Sequence, residues 1–204
     1  MESVFGIAPK SWVCDMMAAL PPPEKKSGSV PRVYIFGAGL VGQAVAHIAP
    51  LAGFRVWVID ERETLANRKH LPHADEIAVC SYEQAVTEIE LDPQSYVVIM
   101  TEKHRWDYFI LENVLRRPTG YIGMIGSRDK VAKTFQTLKK KGFTACELSR
   151  ICAPIGLNIG GHTPGEIAVG VVAQMIQVRY RHVRLANVET KEMGLVPWDV
   201  LLRG

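Results

Sequence analysis

Five short apolar runs alternate with helical patterns through the middle of the chain, and this alternation limits the fold more than any other feature. The runs are VYIF (33–36), RVWVID (55–60), EIAVC (76–80), YVVIM (96–100) and GYIGMI (120–125). Strands that are apolar along their whole length are typical of parallel sheets covered on both faces. Helices that alternate with such strands pack on those faces. The sequence therefore predicts an α/β fold with a doubly wound, Rossmann-like parallel sheet in three α/β/α layers.

Helical patterns follow these strands. They are predicted over 40–49, weakly over 62–70, and over 81–90, 104–116, about 128–141, a short stretch after 144, and 164–182. Ser81 and Gln84, Thr144 and Glu147, and Thr163 and Glu166 have the spacing of capping boxes. The last helix is apolar almost all round, which places it in the core or in an interface and favours a homodimer.

Length and composition predict one domain with additions. The 204 residues divide into an N-terminal segment and linker (1–30), a Rossmann-like domain (31–182) and a tail (183–204). The 24 basic and 21 acidic residues are too evenly balanced to indicate a nucleic-acid partner, and no apolar run is long enough to cross a bilayer. Four cysteines without a C-x-x-C pair, and a start that lacks a basic signal region, favour free thiols in the cytoplasm.

A glycine-rich loop follows the first strand. It reads Gly37-Ala38-Gly39-Leu40-Val41-Gly42, a G-x-G-x-x-G pattern, and Asp60 ends the next strand. In a dinucleotide-binding unit the glycines allow a tight turn, close approach of an anion and helix packing, while the acid accepts from a ribose hydroxyl. Alternatively the glycines serve packing alone and the loop holds nothing. Arg62 could meet a 2′-phosphate, although a solvated surface arginine is favoured.

Three later loops leave the same predicted edge of the sheet. Thr101 follows the fourth strand, with His104 a weak candidate for proton transfer. In YIGMIGSRDK, Gly126 turns the chain, Ser127 is a good N-cap, and Arg128 and Lys130 fall in the first helical turn. Cations there oppose the helix dipole, so either they bind an anion or they pair with Asp129 or Glu166.

The segment CAPIGLNIGGHTPGEIA (152–168) is rich in glycine and yet apolar. Either Asn158 and His162 face a ligand, or the segment is a packed connection before the last helix.

Together FGAGLVGQAVA, VWVIDER, YIGMIGSRDK and APIGLNIGGHTPGEIAVGVVAQ resemble the XdhC/CoxI family, the accessory proteins of xanthine dehydrogenase and related molybdenum hydroxylases. The resemblance implies a Rossmann-like, NAD(P)-binding-like domain. It also implies a chaperone that binds molybdenum cofactor (molybdopterin), supports its sulfuration by a cysteine desulfurase and helps to insert it into the hydroxylase. The matching positions are Gly37, Gly39, Gly42, Asp60, Thr101, Gly126, Ser127, Arg128, Lys130, Pro154, Gly156 and Gly160.

The sequence also departs from the family pattern. Only about thirty residues precede the Rossmann unit, where most members carry a further domain. Glu102 stands directly after the fourth-strand threonine, where family members often have a histidine, and His104 follows two residues later. An acid at this position is less favourable for an anionic ligand. Asn158 and Gln174 stand where acids are common, and Cys152 where we expect histidine. Small buried packing is favoured for Cys152 over a role with molybdenum or persulfide.

Two other functions remain open from the residues alone. The glycine loop and Asp60 fit an NAD(P)-dependent oxidoreductase, although no acid–base pair stands where a substrate domain would supply one. A non-catalytic nucleotide sensor would have the same loop. A molybdopterin ligand with two anionic ends would make use of both the first glycine loop and the helix start at Gly126–Lys130. A plain dinucleotide needs mainly the first glycine loop.

Overall fold

A computed structural model describes residues 30–180. The predicted N-terminal segment and linker up to residue 29, and the predicted tail with the end of the last helix (181–204), lie outside the described residues.

Within residues 30–180, six parallel strands form a single sheet, which confirms the predicted fold class. They are β1 (Arg32–Phe36), β2 (Arg55–Ile59), β3 (Glu76–Ala78), β4 (Ser95–Ile99), β5 (Tyr121–Met124) and β6 (Ile151–Cys152). Their order in the sheet is β3-β2-β1-β4-β5-β6, and every neighbouring pair is parallel. The sequence does not predict the short β6, because two residues are too few to show a pattern.

Helices cover both faces of the sheet. They are α1 (Leu40–Ile48), α2 (Tyr82–Glu88), α3 (His104–Val114), α4 (Arg128–Lys140), α5 (Ala145–Leu148) and α6 (Pro164–Arg179). A 3-10 turn over Ala49–Ala52 extends α1. One core lies between the sheet and α1 with α6, and the other lies between the sheet and α2, α3 and α4. These are the three predicted layers.

The weak helix predicted over 62–70 is wrong, because this part of the chain forms a series of turns. The Asn67 side chain donates to the carbonyl of Glu63 and accepts from the N–H of His70, so it competes with helical bonding. The Arg68 guanidinium ties the end of the segment to the carbonyls of Ala74 and Asp75. The segment still covers the sheet, since Ala66, Leu71 and Ala74 are buried.

Helix α6 belongs to the core along one face. Ala168, Val171, Val172 and Met175 are buried there. The predicted capping box of Thr163 and Glu166 is confirmed, with Pro164 in the first turn. The box of Thr144 and Glu147 is confirmed too, but at Ser81 only half of it forms, because Gln84 bonds to Glu88 instead.

Gly170 brings α6 unusually close to the loop that precedes it. The carbonyl of Gly170 accepts from the N–H of Leu157 at 3.0 Å. A Cβ on Gly170 would lie 2.8 Å from the carbonyl oxygen of Leu157. Gly165 lies in the first turn of the same helix, and apart from its neighbours in the helix no described residue has a heavy atom within 4 Å of such a Cβ.

We predict that alanine at these two positions of α6 has opposite effects on stability. Gly165→Ala should raise the free energy of unfolding by up to about 1 kcal/mol, since glycine is a poor helix former. Gly170→Ala should lower it by about 1–3 kcal/mol, because the new methyl group overlaps the loop backbone. Urea unfolding of the two variants measures both effects, and equal shifts in the same direction would contradict the packing described here.

Candidate ligand site at the carboxyl edge of the sheet

The loops that leave the carboxyl ends of the parallel strands meet at one edge of the sheet. The strand order reverses between β1 and β4, and ligands in such sheets bind in the crevice at this reversal. Every predicted site residue lies in or beside one of these loops: 37–42 after β1, 60 after β2, 101 after β4, 126–130 after β5 and 154–160 after β6. The parallel topology therefore brings the predicted residues to one side of the molecule.

Two of the three motif glycines in the first loop are required by packing. Gly37 has φ +114°, and a Cβ there would lie 2.4 Å from the carbonyl oxygen of Met100. A Cβ on Gly42 would lie 2.0 Å from the carbonyl oxygen of Gly37, so only glycine lets α1 begin so close to the strand. Packing alone thus explains two glycines whether or not a ligand binds.

Gly39 is different, because nothing among the described residues requires a glycine there. Its φ is −69°, which any residue adopts, and apart from its two chain neighbours no residue in the described range 30–180 has a heavy atom within 4 Å of the position that a Cβ would take. As N-cap of α1 it offers no side chain to the free N–H groups of the first turn. The missing side chain leaves open space in front of these donors, as an approaching anion requires.

The other loop residues have separate environments. Ala38 is fully buried, Val41 packs against the core, and Leu40 is 72% exposed at the mouth of the loop. The Gln43 side chain donates to the carbonyl of Ala38 at 2.8 Å and fixes the turn.

Asp60 lies behind this loop rather than at its surface, with only 1% of the residue exposed. Its carboxylate accepts from the N–H of Ala38 at 2.7 Å and from the N–H of Arg62 at 3.0 Å. It also accepts from Nε and Nη2 of Arg62, each at 2.9 Å. A carboxylate has about four acceptor positions, and all are in use. The ribose role predicted for Asp60 would therefore require Arg62 to move.

These bonds decide the ionisation of Asp60. Burial by itself would raise its pKa, but the bonds from Arg62 and from the N–H of Ala38 outweigh burial and hold the pKa below its ordinary value. The same carboxylate raises the pKa of Arg62. Asp60 is thus a buried anion that fixes the glycine loop and Arg62.

Arg62 also reaches the loop after β4. Its Nη1 donates to Oε2 of Glu102 at 2.6 Å, and the Glu102 side chain is 69% exposed. Arg62 is therefore not the solvated arginine that the sequence favours. We call Asp60, Arg62 and Glu102 the edge bridge.

A second buried carboxylate, which sequence reasoning missed, joins the loops after β4 and β5. Asp107 in α3 is fully buried, and its Oδ1 accepts from the hydroxyl of Thr101 at 2.6 Å and from the Thr101 N–H at 3.1 Å. Its Oδ2 has no hydrogen bond of normal geometry and is neutralised by the ammonium of Lys130, whose side chain is 12% exposed. Lys130 is thus an ion-pair partner, as the alternative interpretation held, but of Asp107 rather than of Asp129 or Glu166.

Gly126 and Ser127 serve this arrangement. A Cβ on Gly126 would lie 2.6 Å from Cδ of Lys130, so the glycine makes room for the lysine stem. Ser127 is the predicted N-cap, since its hydroxyl accepts from the N–H of Lys130 at 3.2 Å.

Arg128 has different surroundings from Lys130. It is exposed, and no carboxylate in the part of the chain that the structure describes forms an ion pair with it. It lines a cavity of about 340 Å³. The remaining lining residues are Pro154, Ile155, Gly156, Leu157, Asn158, Ile159, Gly161, Glu166 and Ile167. The cavity thus combines a guanidinium with walls that carry both apolar side chains and polar groups.

The loop after β6 is held in place by a residue whose role the sequence did not reveal. Oε1 of Gln174 in α6 accepts from the hydroxyl of Tyr121 at 2.6 Å and from the N–H of Gly156 at 2.9 Å. Gly156 has φ +95°. Burial raises the pKa of Tyr121 well above its ordinary value, so its hydroxyl remains a donor. Gln174 thus fixes the wall of the cavity against the sheet.

The other candidate residues do not line this cavity. Gly160 has φ +79° but does not line the cavity; its N–H donates to Oδ1 of Asn158 at 3.3 Å. His162 is exposed, and its backbone N–H donates to Glu166 at 2.9 Å. His104 is exposed at the start of α3, and Cys152 is partly buried and packs against the core.

Two further findings concern residues 30–180 only. No group of three or more His, Cys, Asp and Glu side chains there could hold a metal ion. None of the helices in this range is long and apolar enough to span a membrane.

We predict that the two cations in the first turn of α4, Lys130 and Arg128, differ in their effect on stability. Lys130→Ala should lower the free energy of unfolding by about 3–5 kcal/mol, because it leaves the buried Asp107 carboxylate without a counter-ion. Arg128→Ala, two residues away, should change it by less than about 0.5 kcal/mol. Urea unfolding measures both, and a mild effect of Lys130→Ala would contradict a buried ion pair.

We also predict that Asp60 contributes to the loss of stability in acid. Because its pKa in the folded protein is lowered, its contribution is fully present above the unfolded pKa of about 3.9 and disappears as the pH falls through the folded value. Asp60→Asn should therefore reduce the slope of unfolding free energy against pH between about pH 5 and pH 3. Urea midpoints across this range test it, and equal slopes for the variant and the original protein would refute it.

Comparison with known proteins identifies relatives. Residues 33–175 match the XdhC Rossmann domain family. The chain is 35% identical over 153 residues to the uncharacterised protein YqeB of Escherichia coli K12, covering 74% of this chain and 28% of that protein. It is 32% identical over 151 residues to a Bacillus subtilis protein named as a probable subunit of xanthine dehydrogenase, covering 74% of this chain and 44% of the relative.

A crystal structure of a xanthine dehydrogenase from Bacillus halodurans superposes with a TM-score of 0.66 at 28% identity, over 83% of this chain and 46% of the other. The chain therefore spans less than half the length of each of these relatives. The family match covers more than half of the chain and includes both glycine-containing helix starts. The chain belongs to the XdhC family, through its Rossmann domain.

Proposed function

We propose that this protein is a maturation factor that binds molybdenum cofactor at the carboxyl edge and delivers it to a xanthine dehydrogenase-type molybdenum hydroxylase. It would hold the cofactor while a cysteine desulfurase adds the terminal sulfur. Two relatives carry xanthine dehydrogenase in their names, which supports a hydroxylase as the partner. The protein would then act as a chaperone rather than as an enzyme with its own turnover.

The observation that carries this proposal is Arg128. A guanidinium at the start of a helix is unfavourable in the dipole field unless an anion is nearby. Lys130, the other cation of this turn, is neutralised by Asp107, whereas Arg128 lines the cavity without a carboxylate partner among residues 30–180. Glu166 also lines the cavity, but its Oε2 accepts from the N–H groups of Thr163 and His162, and its carboxylate forms no ion pair with Arg128. Arg128 is therefore available for an anionic ligand.

The walls of the cavity suit the rest of such a ligand. Ile155, Leu157, Ile159 and Ile167 are apolar, and Asn158 supplies an amide. Flat heterocycles bind in pockets of this kind, with apolar contact on the ring and a few polar groups at its rim. When bound, the cofactor would supply the molybdenum centre that accepts the sulfur.

The dimensions favour a ligand with two separated anionic parts. A volume of about 340 Å³ is at the lower end for small-molecule sites, which span roughly 300–1,000 Å³. The first glycine loop leaves β1, and Arg128 follows β5, two strands away in the sheet. Two strand spacings amount to roughly 10 Å. One part of the cofactor would thus occupy the cavity and another the space in front of Gly39.

The homodimer predicted from the last helix stays a prediction. The outer face of this helix exposes Val169 and Ile176, seven residues apart and therefore on the same side of α6.

We expect protein purified without oxygen from a cofactor-producing host to carry pterin near one per chain. Oxidation to the fluorescent derivative measures the occupancy. Arg128→Ala should reduce it about ten-fold or more, as expected for loss of a charged hydrogen bond. Gly39→Ala should reduce it as well, because its methyl group enters the ligand space without a clash against residues 30–180.

Lys133→Ala is the matched control, since Lys133 is an exposed cation on the same helix outside the cavity. It should leave the pterin occupancy unchanged. NAD(H) and NADP(H) are titrated in parallel. Tight nicotinamide binding without any pterin would overturn the proposal and favour the oxidoreductase or the nucleotide sensor.

A further inference from the structure

The edge bridge crosses the place where a ligand would enter the first glycine loop. Asp60 follows β2 and Glu102 follows β4, and these strands flank β1 on its two sides. Arg62 contacts both carboxylates, so the bridge spans roughly two strand spacings, or about 10 Å, across the loop after β1. Oδ2 of Asp60 bonds both to Arg62 and to the N–H of Ala38 inside the loop. The Asp60 carboxylate thus connects the Arg62 guanidinium directly to the backbone of the glycine loop.

The two ends of the bridge differ in strength. Asp60 is buried and holds Arg62 by a two-pronged pair of bonds from Nε and Nη2, the geometry in which arginine binds carboxylates best. Glu102 is 69% exposed and receives a single bond from Nη1. An exposed ion pair of this kind contributes little to stability. The Glu102 end can therefore be exchanged while the Asp60 end stays fixed.

We propose that Glu102 occupies an anion subsite on Arg62 and is displaced there by a phosphomonoester of the ligand. A phosphate is a natural substitute, because the guanidinium fork matches phosphate as well as carboxylate. A free ribose hydroxyl is not, since the acceptor positions of Asp60 are all occupied. The edge bridge thus selects ligands that carry a phosphate at this point. This inference rests on the proposed function only in that a ligand binds at the carboxyl edge.

Two sources of the phosphate are distinguishable. One is the phosphate of the pterin cofactor, and the other is a 2′-phosphate on the ribose of a nucleotide. The first test measures pterin occupancy of Arg62→Lys against the original protein, because an occupancy near one per chain can fall but cannot rise. The second is calorimetric titration at low salt with adenosine 2′,5′-bisphosphate and with 5′-AMP, which differ only in the 2′-phosphate.

Glu102→Gln removes the competing charge and should tighten binding of the phosphate-bearing probe about two- to five-fold, the factor that corresponds to an exposed ion pair. The gain should shrink as salt is added, because exposed charges are screened. Glu112→Gln is the matched control. It removes the partner of Lys141, also in an exposed ion pair at 2.8 Å, and changes the net charge equally, so it should leave binding unchanged.

Arg62→Lys keeps the charge but loses the fork, and should weaken the same probe about ten-fold. It is preferred to Arg62→Ala, which leaves the buried Asp60 unpaired and endangers the fold. If Arg62→Lys leaves pterin occupancy unchanged and neither Glu102→Gln nor Arg62→Lys changes binding of the bisphosphate, the inference is wrong.

These outcomes are separate from those of the proposed function. Absence of pterin in all variants would reject the cofactor proposal and leave the edge bridge to be judged by the nucleotide titration alone.

Discussion

The buried carboxylate of Asp60 is the interaction on which the arrangement of the carboxyl edge depends. A carboxylate that is 1% exposed carries a large desolvation cost, and only hydrogen bonds to its charged form make that burial tolerable. Here the four donors come from the glycine loop and from Arg62. One anion therefore fixes the turn that begins α1 and orients the guanidinium across the crevice. The Asp60 carboxylate thus links the glycine loop to the edge bridge.

Asp107 performs the corresponding task on the other side of the crevice. It holds the loop after β4 through Thr101 and the start of α4 through Lys130. Arg128 and Lys130 thus have different environments, although both are cations and they lie only two positions apart in the sequence. Lys130 neutralises a buried charge, and its stem lies over Gly126. Arg128 remains at the cavity, where it is available to a ligand.

The fold was predictable from the sequence, and the site only in part. Apolar strands and capping boxes are local signals, so the sheet, its parallel strands and the start of α6 follow from them. The partners of Asp60 and Lys130 depend instead on which loops share an edge of the sheet, and no local pattern records that. Periodicity shows that Asp107 and Gln174 lie on helices but not that they bond to other elements. The turns over 62–70 were missed because the side-chain bonds of Asn67 and Arg68 override a weak helical pattern.

The edge bridge also gives a physical account of Glu102, whose charge by itself is unfavourable for an anionic ligand. An isolated carboxylate at this position would repel phosphate, but Glu102 is paired with Arg62 at 2.6 Å. Arg62 in turn is already compensated by Asp60, so the three residues together carry one negative charge with Glu102 in place. In the proposed exchange Glu102 moves into solvent, where its charge is hydrated and screened, and Asp60 and Arg62 remain as a neutral pair that keeps guanidinium N–H groups for the ligand. A ligand phosphate then meets donors rather than a carboxylate. Glu102 is therefore compatible with anion binding because it is exposed and can be exchanged for a ligand phosphate. A carboxylate buried like Asp60 could not be exchanged in this way.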